Sequence, residues 1–275
     1  MTTVQPLATS SAQQRSVASE QAFPTKERLG VVSYSRGTLA EQHAALCAWL
    51  RGGRTTSCMI GYVNPHVYNL AKRDSTLQEF LARADLVSVD GLGISAGVLL
   101  VNGHWQTRTV MTPLFDRVLA TQDLPALRAV LIGGTEGVMT KGAAAINRAT
   151  RTIKIVAMRN GYQPIAEYLS FLEEQSEAEV VLIAMGTPRS EQLALAAVAR
   201  FPSKLFWNIG GGTLHFYAGT LSRVPPIVSS LGMQWLWRIV HEPRVAPRYI
   251  IGIPVFLASM VCLVISKRNL KTSAL

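Results

Sequence analysis

The sequence predicts an α/β fold: a Rossmann-like, mostly parallel sheet with helices on both faces, followed by a C-terminal basic and hydrophobic tail expected to be helical and membrane-associated. Three observations predict it. Apolar runs of strand length alternate with stretches of helical period through most of the chain. Runs such as "AVLIGG" and "VVLIAM" lack polar alternation, so both faces of those strands must be covered, as in parallel sheets with crossover helices. The loops after the runs are rich in glycine and polar side chains, as expected where ligands collect beyond strand carboxyl ends.

The elements follow in order. Residues 1–28 are rich in Ser, Thr and Gln and contain no apolar stretch of signal-peptide type, so they read as a disordered leader to a chain that stays in the cytoplasm. Residues 29–222 form the predicted core. Its first strand is "TSCMIGYV", followed by the helix "STLQEFLARA" and the strand "ADLVSV". "RAVLIGG" then pairs with "TKGAAAINRAT", "IKIVAM" with "IAEYLSFLEEQ", and "EVVLIAM" with "EQLALAAVAR", before the last strand "KLFWNIGGG". Residues 223–275 are the appendage. It holds "YIIGIPVFLASMVCLVIS", an uncharged 18-residue stretch with basic residues on both flanks. As a helix it would span about 27 Å, just short of a hydrocarbon core of about 30 Å, so spanning the membrane and lying in its surface are both open, beside an oligomer interface or a buried helix.

Composition narrows the function. The formal charge of +10 suits nucleic acid, an anionic membrane or a phosphorylated substrate. Its excess sits around the apolar tail rather than on an aromatic-studded surface, which argues against nucleic acid and for anionic lipids. Three widely spaced cysteines suggest neither disulfides nor zinc. No D-x-D, P-loop or G-x-S-x-G motif occurs, and no His pairs with Glu at helical spacing. No metal is therefore expected, and a departing diphosphate must be met by arginines and backbone dipoles.

The most informative stretch is "DLVSVDGLGISAG", residues 85–97. Asp90 is a strand-end carboxylate that could deprotonate a sugar hydroxyl. Two other readings stand beside that one: Asp90 as a plain helix N-cap, and "GLGISAG" as the dinucleotide turn of a nicotinamide-dependent oxidoreductase. An acid directly before the first glycine opposes a pyrophosphate there, and the acid about 20 residues on that such a fold needs for ribose would be Asp116, which falls in a stretch of helical pattern. Gly133 and Gly134 in "LIGGTEG" could offer backbone N–H groups to a diphosphate. In "MGTPRSEQ", Gly186 allows a tight turn, Pro188 suits a helix start, and Arg189 could bridge phosphate oxygens; a capping pair of Thr187 and Glu191 is the structural alternative. Gly211 and Gly212 lie in a third glycine-rich loop. A non-catalytic membrane-surface adaptor would have no reason to line every sheet-end loop in this way.

Taken in order, "VNPH", "ADLVSVDGLGI", Arg108, "LIGGTEGV", "NGY", "MGTPRSEQ", "IGGGTLHFYAG" and a C-terminal pattern carried by Gly232, Trp235, Arg238, Pro243, Arg248 and Tyr249 resemble the WecG/TagA/CpsF glycosyltransferases. The resemblance covers residues 61–249. It implies an inverting, metal-independent transfer from a UDP-sugar donor to a polyprenyl-diphosphate-linked saccharide acceptor at the cytoplasmic face of the inner membrane, in exopolysaccharide or other cell-surface polymer synthesis. It further implies Asp90 as general base, with Asn64 and Arg108 in the pocket. The expected donor residues are Gly133, Gly134, Tyr162, Gly186, Pro188, Arg189, Glu191, Gly211 and Gly212. Arg238, Arg244 and Arg248 would face the acceptor diphosphate and lipid head groups, and assembly with further copies of the chain is an open expectation. The chain departs from the usual pattern at Tyr62, Met111, Pro113, Ser190 and His215, positions that bear on the donor sugar more than on the reaction class.

Overall fold

A computed structural model describes residues 23–52, 55–225, 227–228, 232–242 and 245–272. The chain opens with an antiparallel hairpin of β1 (Lys26–Leu29) and β2 (Val32–Ser35). This hairpin takes in residues 26–28, which composition alone had placed in the leader. Helix α1 (Leu39–Arg51) follows behind a Thr38 and Glu41 capping box. The central sheet then uses β3 (Cys58–Val63), β4 (Leu86–Val89), β5 (Leu127–Gly133), β6 (Ile153–Arg159), β7 (Val180–Ala184) and β8 (Leu205–Asn208). All neighbouring pairs are parallel, in the order β4-β3-β8-β7-β5-β6.

Crossovers supply the helices. α2 (Pro65–Ala71) and α3 (Ser75–Arg83) join β3 to β4; α4 (Leu92–Asn102) and α5 (Met111–Ala120) lead to β5. α6 (Glu136–Ala149), α7 (Ile165–Glu174) and α8 (Arg189–Val198) bridge the later strands, and α9 (Gly211–Tyr217) follows β8. Successive strand residues face opposite sides, and two apolar clusters result. On one side Val63, Val87, Val89, Val130, Ile132, Val181, Ile183 and Phe206 are buried with residues of α2, α3, α4, α7 and α8. On the other, Ile60, Leu131, Leu182 and Trp207 are buried with residues of α1, α5, α6 and α9. This two-sided covering is what the uninterrupted apolar runs require.

The tail continues through α10 (Gln234–His241), α11 (Ala246–Ile250) and α12 (Gly252–Thr272). The stretch Ala246–Lys267 is long and apolar enough to cross a membrane, an 18-residue window within it reaching a mean hydropathy of 2.3. One flank of α12 is docked on the core. Phe256 and Met260 are fully buried, and the Phe256 ring meets Tyr68 edge-on at 5.1 Å. Polar ties reinforce the seat: Asn69 donates to the Gly252 carbonyl at 2.7 Å, Lys72 to Ser259 Oγ at 2.9 Å, and Lys267 to the Val101 carbonyl at 3.0 Å. The outer flank exposes Leu257, Val261 and Ile265, and α4 leaves Leu99 and Leu100 exposed.

Candidate functional site

In a parallel sheet the crevice opens where neighbouring strands send their connections in different directions. Here that point lies between β3, whose chain runs on to the edge strand β4, and β8, which neighbours β7. The cleft sits there. Its first lobe, about 430 Å³, is lined by Tyr62 and Asn64 from the end of β3, Asp90 from β4, Gly186 and Thr187 after β7, and Gly210, Gly211 and Gly212 after β8. Val110, Met111, Thr112 and Pro113 at the start of α5 close its floor, where Thr112 and Thr213 hydroxyls bond at 2.7 Å. A second lobe of about 470 Å³ is lined by Gly91, Leu92, Arg108, Trp235, Ile250, Ile253 and Pro254. Asn64, His66, Asp90, Arg238, Arg248 and Tyr249 belong to both lobes.

Backbone bonds place the central acid. The Asp90 N–H donates to the Val63 carbonyl at 2.8 Å, which holds the tip of β4 against the tip of β3. Asn64 caps α2, its Oδ1 accepting from the Val67 N–H at 2.9 Å, and its side chain also bonds Asp90. Arg108 arrives by a different route. The neighbouring Thr109 N–H donates to the Val89 carbonyl at 2.9 Å and its Oγ1 accepts from the Val89 N–H at 2.8 Å, stitching the 106–109 segment to the free edge of β4. Arg238 is braced from Nε to Glu242 at 2.8 Å. The N-cap of α4 is Gly91, at φ 100, so Asp90 does not cap that helix.

Electrostatics fit a base. Burial raises the Asp90 pKa above the ordinary carboxylate range, while Arg248, Arg238, the Asn64 bond and Arg108 pull it back toward ionisation. His66 is pushed down to about 4 by burial and by Arg248, so it faces the cleft as a neutral imidazole. Tyr62 is pushed up to about 12 by burial and by the nearby Glu191 and Asp90 charges. It stays a phenol. Among the described residues, no three or more His, Cys, Asp or Glu side chains gather where they could hold a metal.

The expected site residues separate into groups. Asp90, Asn64, Gly186, Gly211, Gly212, Arg238 and Arg248 meet in the cleft, and Arg108 lines its second lobe. Gly133, Gly134, Tyr162, Pro188, Arg189 and Glu191 are not among the residues lining either lobe. Gly133, at φ 150, lies so close to Ala184 that a Cβ would come within 2.4 Å of its carbonyl oxygen. Gly134 accepts from the Gly161 N–H at 3.0 Å, and Tyr162 beside it is exposed. Arg189 donates to the Gln163 carbonyl at 2.5 Å. Glu191 is buried behind the cleft wall, bonded by Thr187. Arg244 lies outside the described residues. Sequence reasoning passed over His66, Thr187, Gly210, Arg223 and Tyr249 as site residues and weighed Asp116 only as a ribose-binding acid; all six line the first lobe. His66, Thr187, Gly210 and Tyr249 stood within quoted motifs; Asp116 and Arg223, paired with each other by a salt bridge, lie 107 residues apart in sequence, so nothing local signalled their pairing.

In "GLGISAG", Gly91 supplies the positive φ of the turn, and the other two glycines have a packing role. A Cβ on Gly93 would meet Pro65 at 2.6 Å, and one on Gly97 would meet Met260 and Phe256 at 2.9 Å. They let α4 seat against α2 and α12, which accounts for the spacing without a dinucleotide. Asp116, the acid that reading would assign to ribose, is instead bonded by Tyr217 at 2.6 Å.

Residues 28–270 match the model of the Glycosyl transferase WecG/TagA/CpsF family. One curated relative, the N-acetylglucosaminyldiphosphoundecaprenol N-acetyl-beta-D-mannosaminyltransferase of Bacillus subtilis (strain 168), is 24% identical over 186 residues, covering 67% of this chain and 72% of that protein. The chain belongs to the WecG/TagA/CpsF family and is a glycosyltransferase of polysaccharide biosynthesis.

Proposed function

We propose that this glycosyltransferase moves a sugar, with inversion and without a metal, from a UDP-sugar to a polyprenyl-diphosphate-linked saccharide at the cytoplasmic membrane face, in exopolysaccharide or related surface-polymer synthesis. The observation that carries the reading is the position of Asp90 at the waist between two lobes of different chemistry. The glycine- and threonine-lined lobe suits a nucleotide diphosphate, whose oxygens can approach bare backbone. The lobe walled by Leu92, Trp235, Ile250, Ile253 and Pro254 suits the first units of a polyprenyl chain.

The chemistry follows from that arrangement. Asp90 takes the proton from the acceptor hydroxyl as its oxygen attacks the anomeric carbon from the face opposite the diphosphate. The sugar–phosphate bond breaks, and UDP leaves with the electron pair. Arg238 and Arg248, lining both lobes, meet the developing negative charge. Arg108 lines only the apolar lobe, which favours the acceptor diphosphate as its partner over the departing one. The name of the Bacillus subtilis relative makes an N-acetylhexosamine donor the first to try.

The docked tail supports attachment in the membrane surface rather than across it. A helix whose Phe256 and Met260 are sealed against α2 and α4 would have to leave the core to cross a bilayer. Its outer apolar flank can enter the head-group boundary where it stands. Mass spectrometry after incubating the enzyme with a lipid-diphosphate acceptor and a panel of UDP-sugars tests the reading. A glycosylated lipid is the expected product, and none with any donor would overturn it.

A further inference from the structure

We infer that Glu191 is a positioning residue that ties the turn after β7 to the turn after β8, and so fixes the wall on which the donor diphosphate is held. The inference rests on the reading that the donor occupies the glycine-lined lobe. Glu191 stands in the first turn of α8 and is 1% exposed. Its Oε1 accepts from Thr187 Oγ1 at 2.8 Å and from Asn208 Nδ2 at 2.9 Å. Asn208 in turn accepts from the Gly210 N–H at 3.1 Å, holding that residue at its left-handed φ of 77. Thr187 and Gly210 both line the lobe.

A single oxygen therefore joins two turns contributed by neighbouring strands. Tyr62 sits across the same junction. Its phenol bonds Thr187, and a Cβ on Gly210 would lie 3.3 Å from its oxygen. The second carboxyl oxygen, Oε2, is buried with no hydrogen-bond partner among the described residues. That oxygen has no contact with the cleft, which separates Glu191 from residues that touch substrate. The other titratable groups facing it are Asp74 before α3 and Tyr62 on β3. The carbonyl oxygen of a neutral carboxyl, like that of an amide, still accepts both bonds, so the tie needs an acceptor atom and not a charge.

Calorimetric titration of UDP into the full chain, with steady-state kinetics on donor and acceptor, tests this. Glu191→Gln keeps the acceptor and should bind UDP within about twofold of the parent, whereas volume-matched Glu191→Met should bind it about tenfold more weakly. Donor KM should rise with that loss while acceptor KM stays unchanged. Thr187→Val, which cuts one tie without opening a cavity, should weaken UDP binding in the same direction, and Thr187→Ser should restore it. Parent-like UDP affinity in Glu191→Met or in Thr187→Val overturns the tie, as does a Glu191→Gln variant as weak as Glu191→Met. A parent chain that binds no UDP overturns the donor-lobe reading itself, a result distinct from failure of the tie.

Discussion

Asn64 serves Asp90 and the start of α2 together: its Oδ1 accepts from the Val67 N–H at 2.9 Å while its side chain bonds the Asp90 carboxylate. Removing it should therefore cost both fold and chemistry. Asn64→Ala loses an N-cap worth about 1 kcal/mol and frees the base to turn, so melting temperature should fall by a few degrees and kcat by about tenfold or more. Asn64→Ser, which can still cap, should recover the melting temperature but not the rate. Thermal melts beside initial rates separate the two roles.

Asp90→Asn should reduce turnover by about 10³-fold while leaving UDP affinity within about threefold, because only the proton acceptor is lost. Unchanged turnover would remove the base assignment. Since burial holds the Asp90 pKa above its ordinary value, activity should rise with pH through a limb lying above the usual carboxylate range. Arg248 and Arg238 oppose that shift. Replacing either with Gln should move the limb to still higher pH.

Glu191 makes a stability prediction. Burial raises its pKa from 4.5 to about 7, so the folded state holds the proton more tightly than the unfolded chain. The sign follows: its stabilising contribution is complete below about pH 4.5 and is lost as pH rises through 7. At about 1.4 kcal/mol per pH unit the span is roughly 3 kcal/mol. Glu191→Gln should match the parent's melting temperature near pH 4.5 and exceed it at pH 8. Parallel melting curves at both pH values would refute the assignment.

The seat of α12 can be probed from either side. Gly97→Val would drive a side chain into Met260 and Phe256, each 2.9 Å from the Cβ position, and overpacking of this kind costs about 1–3 kcal/mol. Met260→Ala should cost about 2–5 kcal/mol by leaving a cavity. Urea denaturation measures both.

Serine at Leu257, Val261 and Ile265 together alters only the exposed flank of α12. Melting temperature should hardly move, while flotation with anionic vesicles should be lost. A triple variant that still floats would refute surface attachment through this helix.

Sequence legibility tracked how local the causes are. The inner sheet strands were readable because a strand covered on both faces must be apolar throughout, as "VVLIAM" and "AVLIGG" are. The place of Asp90 and Asn64 at the cleft was readable because each directly follows a strand, where parallel sheets open their crevices. Strand order was not. Gly133 ends β5, which lies beyond β7 from the cleft, so an equally glycine-rich loop stands apart from the residues that line it. Glu191 has the spacing of a capping residue, and only the approach of Asn208 from β8 reveals its second bond. The hairpin at Lys26 escaped because four-residue strands following a polar leader leave too short a pattern to see.

The register that pairs Cys58 with Leu205 couples the two strands flanking the cleft across about 150 residues of chain. A ribosome must release nearly the whole core before β3 acquires this partner, so the emerging N-terminal half carries an unpaired, apolar strand edge while translation continues. Long-range parallel closure of this kind is slow, and the cleft between β3 and β8 is among the last features to assemble. Fragments ending before β8 should be clients of chaperones rather than miniature enzymes.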